Sequence, residues 1–218
     1  MRSLQYLVLA ILLCAALAVA GCTSSTANPP PVTATAISLP SIALDRSDLP
    51  DGYVLTMSKV KTDRDVSPLA QSLGWQAGYV VEYTKSAAPG TVVLHSLAGY
   101  KESSMPDVID YIYRADRTCS DLEYFDIAVT GIGDDSRAFI GHLPNQSQIP
   151  VVTTVPAAKP LSDVAVSMEG TNTVTCGQGY LEIIFAKGNV LEVIRFSGPV
   201  IEDKEAIAIA QKAYAKIP

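Results

Sequence analysis

A chain of 218 residues, 48% of them hydrophobic and 17% charged, is long enough for one hydrophobic core and too apolar to stay unfolded throughout. Its formal net charge of −6, with 16 Lys and Arg scattered along it, argues against a nucleic-acid partner, which needs cations clustered against phosphates. The same acidity argues against a polybasic membrane patch.

The first element is a leader, residues 1–21. Arg2 precedes an unbroken apolar run from Leu7 to Val19 and then the small residues Ala20 and Gly21, the order of a secretory signal with a charged start, an apolar middle and a cleavable end. Val19-Ala20-Gly21-Cys22 resembles the lipobox of prokaryotic lipoproteins. That resemblance implies that the Cys22 thiol receives a lipid and becomes the first residue of the mature chain. Ala18-Val19-Ala20 offers a competing small-x-small site, cut before Gly21. Cysteine parity favours the first reading. Cutting at Cys22 leaves Cys119 and Cys176 to pair, whereas cutting before Gly21 strands an odd thiol in an oxidising compartment. A retained span is disfavoured, because the run falls short of the roughly 20 residues that a bilayer needs. Each buried lipid methylene contributes about 0.8 kcal/mol, and two chains give stable attachment. The expected location is therefore the outer face of the cytoplasmic membrane or cell envelope, with the lipid on Cys22 as the membrane contact. Removing the leader and its one charge, Arg2, leaves a formal charge of −7.

Residues 22–47 read as the lipidated cysteine and a tether. Ser24-Ser25-Thr26 and Pro29-Pro30-Pro31 dominate its start, and such segments bury too little apolar surface to offset the entropy of ordering them. The prolines bias it toward polyproline II. A weak apolar pattern at Ile37, Leu39, Ile42 and Leu44 leaves an edge strand as the alternative there.

Residues 48–218 have the length of a single domain. Gly78–Lys85 and Thr91–Ala98 are rich in β-branched and aromatic residues and are separated by a segment ending in Pro89-Gly90, which predicts a hairpin. Ser104-Met105-Pro106-Asp107 then predicts a helix start, with Ser104 as cap. Val108, Ile109, Ile112 and Ala115 supply its buried stripe. Arg137–Ile140 reads as a strand. Tyr180–Lys187 and Val190–Ser197 flank Gly188-Asn189, a pair that accepts positive φ in a tight hairpin turn. A helix from Glu202 to Lys216 follows, with acids in its first turn and Lys212 and Lys216 near its end, the order that complements the helix dipole. Hairpin-then-helix thus occurs twice. The expected fold class is α+β: an antiparallel sheet built from two hairpin-helix units, with helices packed on the sheet or flanking it.

Leu49-Pro50-Asp51-Gly52-Tyr53, then Gly131-Ile132-Gly133-Asp134-Asp135-Ser136 before Arg137-Ala138-Phe139, then Phe185-Ala186-Lys187-Gly188-Asn189-Val190 resemble in order an uncharacterised family of bacterial and methanogen envelope lipoproteins. The resemblance spans most of Leu49 to Lys216 and rests on turns and strand starts. At fold level it is similar to PsbP-like and LpqN-like α/β sandwiches, which implies an assembly or accessory role. One stretch departs from the pattern. Residues 143–179, with Pro144, Pro150, Pro156 and Pro160, read as a proline-rich insertion loop, with room for a short strand at Asp163 to Met168.

Cys119 and Cys176 are expected to form a disulfide, which the extracytoplasmic compartment permits. Closing the 57-residue separation contributes at most roughly 4 kcal/mol. Two buried thiols are the alternative; metal ligation is disfavoured, since neither cysteine has a second Cys or His at ligand spacing.

Gly131-x-Gly133-Asp134-Asp135 lacks the third glycine and following helix of a dinucleotide fingerprint and the alternating oxygens of a calcium loop. A tight turn explains it. There are two histidines, His95 and His142. His95 alternates with Val93 and Leu97 on one strand face, which suits a packed or rim histidine better than a catalytic one. Asp134 and Glu182 form an acid pair only if the fold brings them together. Tyr79, Tyr83, Tyr100, Tyr111, Tyr113 and Tyr124 read as half-buried packing with wet hydroxyls, with a ligand face as the alternative. Asn145-Gln146-Ser147 is an N-x-S sequon.

These readings lead to a non-catalytic interaction or accessory module of the cell envelope with a protein partner, no cofactor, no metal and no catalytic residue. A small-ligand receptor or sensor is the first alternative, and a hydrolase the second.

Overall fold

The structure, a computed structural model, describes residues 37–85, 90–133, 135–144, 179–198 and 202–218. The compact unit runs from Ser38 to Pro218. Its elements in chain order are α1 (Leu39–Ile42), β1 (Tyr53–Lys61), α2 (Pro68–Ser72), β2 (Ala77–Lys85), β3 (Val92–Gly99), α3 (Met105–Ala115), β4 (Glu123–Asp126), β5 (Ser136–His142), β6 (Tyr180–Lys187), β7 (Val190–Ser197) and α4 (Asp203–Lys216).

The strands form one sheet in the order β1-β2-β3-β7-β6-β5-β4, antiparallel at every pairing. The β2–β3 and β6–β7 hairpins are each followed by a long helix, α3 and α4. The two units join at the centre, where β3 pairs β7 from Val92↔Ser197 to Gly99↔Val190. This is the expected α+β class, with helices flanking an antiparallel sheet.

Alternation along the strands decides which helix covers which face. Tyr180 and Ile184 of β6 pack with Val108, Ile109 and Ile112 of α3 in one core cluster, together with Leu191, Val193 and Phe139. Phe185, on the opposite side of β6, meets the Tyr214 ring of α4 edge-on at 6.0 Å. The two helices therefore cover opposite faces. Spacing explains both: Met105, Val108, Ile109 and Ile112 are the buried residues of α3, and Ala206, Ile209, Ala210 and Ala213 are those of α4. Small alanines bring the α4 backbone close to the sheet.

Three differences from the sequence reading have physical causes. The unit starts about ten residues before the expected boundary near Asp48, because Leu39, Ile42, Ala43 and Leu44 are buried; the apolar pattern there is a helical turn, neither tether nor strand. Ser104 makes no capping hydrogen bond. A 3-10 turn at Glu102–Ser104 runs directly into α3, so Ser104 has the helical φ −94° and ψ −7° instead of the extended geometry that aims a cap side chain. The third is β1, a strand of largely exposed residues that the sequence reading did not assign. The leader, the first part of the tether and residues 145–178 of the insertion loop lie outside the described residues.

Candidate functional site

Charged side chains stand inside the sheet on both faces. On the α3 face, Glu182 of β6 lies directly opposite Arg195 of β7. Arg195 Nε donates to Glu182 Oε2 at 2.7 Å, and its Nη2 lies 3.0 Å from Asp116 Oδ2. Asp116 is the C-cap of α3, held by its N–H to Ile112 O, so the end of that helix delivers a second carboxylate to the same guanidinium. Tyr180 donates to the Asp116 carbonyl and lies under the guanidinium, 5.1 Å from Arg195 Cζ to the ring centroid.

Glu182 is fully buried. Burial holds its carboxyl well above the usual range; Arg195 opposes that shift, and the neighbouring Asp116 adds to it. Two acids facing one cation in a low dielectric are stable when one of them keeps its proton. Arg195 is raised by its two acids against the cost of burial.

Beside this trio, Arg117 stacks over Tyr113 at 4.7 Å and over Tyr124 at 5.5 Å, and it pairs with Asp126 at 3.2 Å. Tyr113 donates to the same Asp126 carboxylate. Burial, with that hydrogen bond, pushes the Tyr113 phenol up to about 12. The hydroxyl thus stays a donor at any physiological pH.

On the α4 face, His95 and Glu192 are both completely buried, with His95 Nε2 3.1 Å from Glu192 Oε2. The Leu44 N–H donates to His95 Nδ1 at 3.1 Å, and the Tyr83 hydroxyl donates to Leu44 O at 2.9 Å. Of the packed and rim readings that its alternation left open, His95 is thus the packed one. His142 stacks on Phe125 with centroids 4.9 Å apart and lies 4.0 Å from Glu123. Nothing brings the two histidines together.

The glycine loop is a tight turn laid on α4. Gly131 and Gly133 have φ +78° and +73°, and Gln211 Nε2 donates to Thr130 O. Asp134 lies outside the described residues, so its pairing with Glu182 is not described; Glu182 is taken by Arg195. Of the tyrosines, Tyr83 and Tyr100 are buried and the other four are half-buried. Cys119 is buried, while Cys22, Asn145 and Cys176 lie outside the described residues. Among the described residues no helix is long and apolar enough to cross a membrane, and no group of three His, Cys, Asp or Glu side chains is arranged to hold a metal ion.

Sequence reasoning missed Asp116, Arg195 and Glu192. A signal for the last two was present: Glu182, Glu192 and Arg195 are charges in otherwise apolar strands, and such charges are buried only with partners.

No known protein family matches the chain, and no curated protein matches it. Among solved structures its fold is similar to the extracellular domain of PknH from Mycobacterium tuberculosis, with a TM-score of 0.51 and 11% identity over 81% of this chain and 93% of that one. At that identity the likeness concerns the fold alone.

Proposed function

We propose that the chain is a lipoprotein of the prokaryotic cell envelope, held at the outer face of a membrane through Cys22, whose folded unit acts as a non-catalytic interaction or accessory module for an envelope protein. The observation that carries the reading is the order of the chain: a charged, then apolar, then small-residue leader ending in Cys22, ahead of a fold shared with an extracellular domain. The resemblance of the turn motifs to envelope lipoproteins points the same way. The buried chemistry supports it too, since Glu182, Asp116 and Arg195 are paired with one another, and His95 is spent between Glu192 and a backbone N–H.

The test follows lipid and location. Cells fed labelled lipid precursor are expected to yield labelled, membrane-sedimenting protein, and Cys22→Ser is expected to lose both properties. An unlabelled wild-type chain that begins at Gly21 would sink the reading.

Pairing of Cys119 with Cys176 belongs to the same proposal, because it leaves the mature chain without a free thiol. Alkylation of the unfolded, unreduced protein is expected to add no mass. Two alkyl groups on one chain would rule the bond out.

A further inference from the structure

The folded unit begins with a strap, residues 38–49, laid along the α4 face, and one of its attachments passes through an imidazole. Leu44 donates its N–H to His95 Nδ1 at 3.1 Å, and His95 Nε2 meets Glu192 Oε2 at 3.1 Å. A ring nitrogen that accepts from a backbone N–H carries no hydrogen, so the neutral ring holds its proton on Nε2 and donates it to Glu192. The added proton of an imidazolium has one vacant nitrogen, Nδ1. There it meets the Leu44 N–H head-on. Two donors leave that hydrogen bond unmade beside a His95–Glu192 pair whose side chains are both 0% exposed, where an unmade bond is costly.

We infer that His95 is a proton-sensing latch, and that uptake of a proton at Nδ1 loosens the hold of the sheet on the strap at Leu44. The sign is fixed by linkage: the bound strap excludes the proton and the loosened strap admits it, so the strap holds more weakly as pH falls.

The groups around the ring suit this role. Glu192, from β7, attracts the proton, and its Oε1 has no hydrogen-bond partner among the described residues. Tyr83, from β2, holds Leu44 O. From α4, Lys216 donates to Ala43 O and Asp45 Oδ2, both at 3.0 Å, and to Asp48, while Lys212 donates to Asp48 O at 2.7 Å. Hydrogen bonds from Ser47 and Lys216 hold the Asp45 carboxyl at about 2, so this clasp keeps its charge through mild acid. Imidazole is the side chain whose charge changes there.

The latch itself does not depend on a lipid.

The full chain holds two histidines, so nitrogen NMR of the imidazoles reads His95 and His142 separately, and hydrogen exchange, corrected for intrinsic rates, reads the Leu44 amide. With measurements at neutral and at acidic pH, Leu44 protection is expected to fall about tenfold or more as His95 Nδ1 gains its proton, while the β6 amides keep theirs. His95→Gln, an acceptor that does not titrate, is expected to make Leu44 protection independent of pH. Should that variant fail to fold, Tyr83→Phe is expected to lower Leu44 protection at both pH values and preserve its pH dependence. The latch is overturned if Leu44 protection holds while Nδ1 gains its proton, if the proton goes to Glu192 and Nδ1 stays bare, or if the β6 amides open together with Leu44. Repeating the measurement on Cys22→Ser separates failure of the latch from failure of the anchor.

Discussion

Glu182 is a residue whose protonation the fold decides. Its carboxyl is raised by burial, so the folded chain keeps a proton that the unfolded chain, with an ordinary glutamate at about 4.3, has already released. Stability therefore falls as pH rises from the unfolded value toward the folded one. Glu182→Gln mimics the protonated acid at all pH values. It is expected to flatten that slope and gain on the wild type in urea unfolding as pH rises above the unfolded value; an unchanged slope would show that the proton sits elsewhere. Arg195→Leu is expected to act in the opposite sense. It leaves Glu182 and Asp116 facing each other without a cation, at a cost of about 3–5 kcal/mol. The Glu182–Arg195 contact was legible in the sequence, because counting outward from the Gly188-Asn189 turn sets the two opposite each other. Asp116 was not, since only the packing of α3 across the sheet brings its C-cap to that guanidinium.

The hairpins and long helices were legible for a local reason: turn chemistry and periodicity agree within each segment. β6 and β7 end at the residues predicted. β1 escaped because it is an edge. Thr56, Ser58, Lys59 and Val60 are all exposed, so burial imposes no alternation on them, and a bulge between Leu55 and Met57 breaks the register further. β4 is four residues long, too short for a pattern. Two glycines separate backbone strain from crowding. Gly188 has φ +59° and an added Cβ would meet nothing within 4 Å, so Gly188→Ala is expected to cost about 1–2 kcal/mol through the backbone alone. Gly133 has φ +73°, and its Cβ would stand 3.2 Å from the Tyr214 hydroxyl. Gly133→Ala is expected to cost more, and chemical denaturation of the pair gives the order. Equal costs would mean that Tyr214 moves aside freely.

At the scale of the molecule, the sheet has two helical covers, and the strap completes one of them. α4 packs on the strands with alanines, so it leaves the β2–β3 side of that face to Leu39, Ile42, Ala43 and Leu44, all buried. The sequence reading placed these residues in the tether because a four-residue helix carries too little periodicity to announce itself, and because Pro40 looks like a continuation of the proline-rich segment. The boundary makes a quantitative difference. Burying Leu39, Ile42 and Leu44 contributes roughly 1.5–3 kcal/mol each before the entropy of ordering the strap is subtracted. A chain beginning at residue 37 is therefore expected to unfold at the same denaturant concentration as one beginning at Cys22, whereas a chain beginning at residue 48 is expected to lose about 2 kcal/mol or more and to expose the His95–Glu192 pair. Equal midpoints for all three chains would place the strap outside the cooperative unit, and the acid-driven loosening argued above would then have no folding energy to draw on.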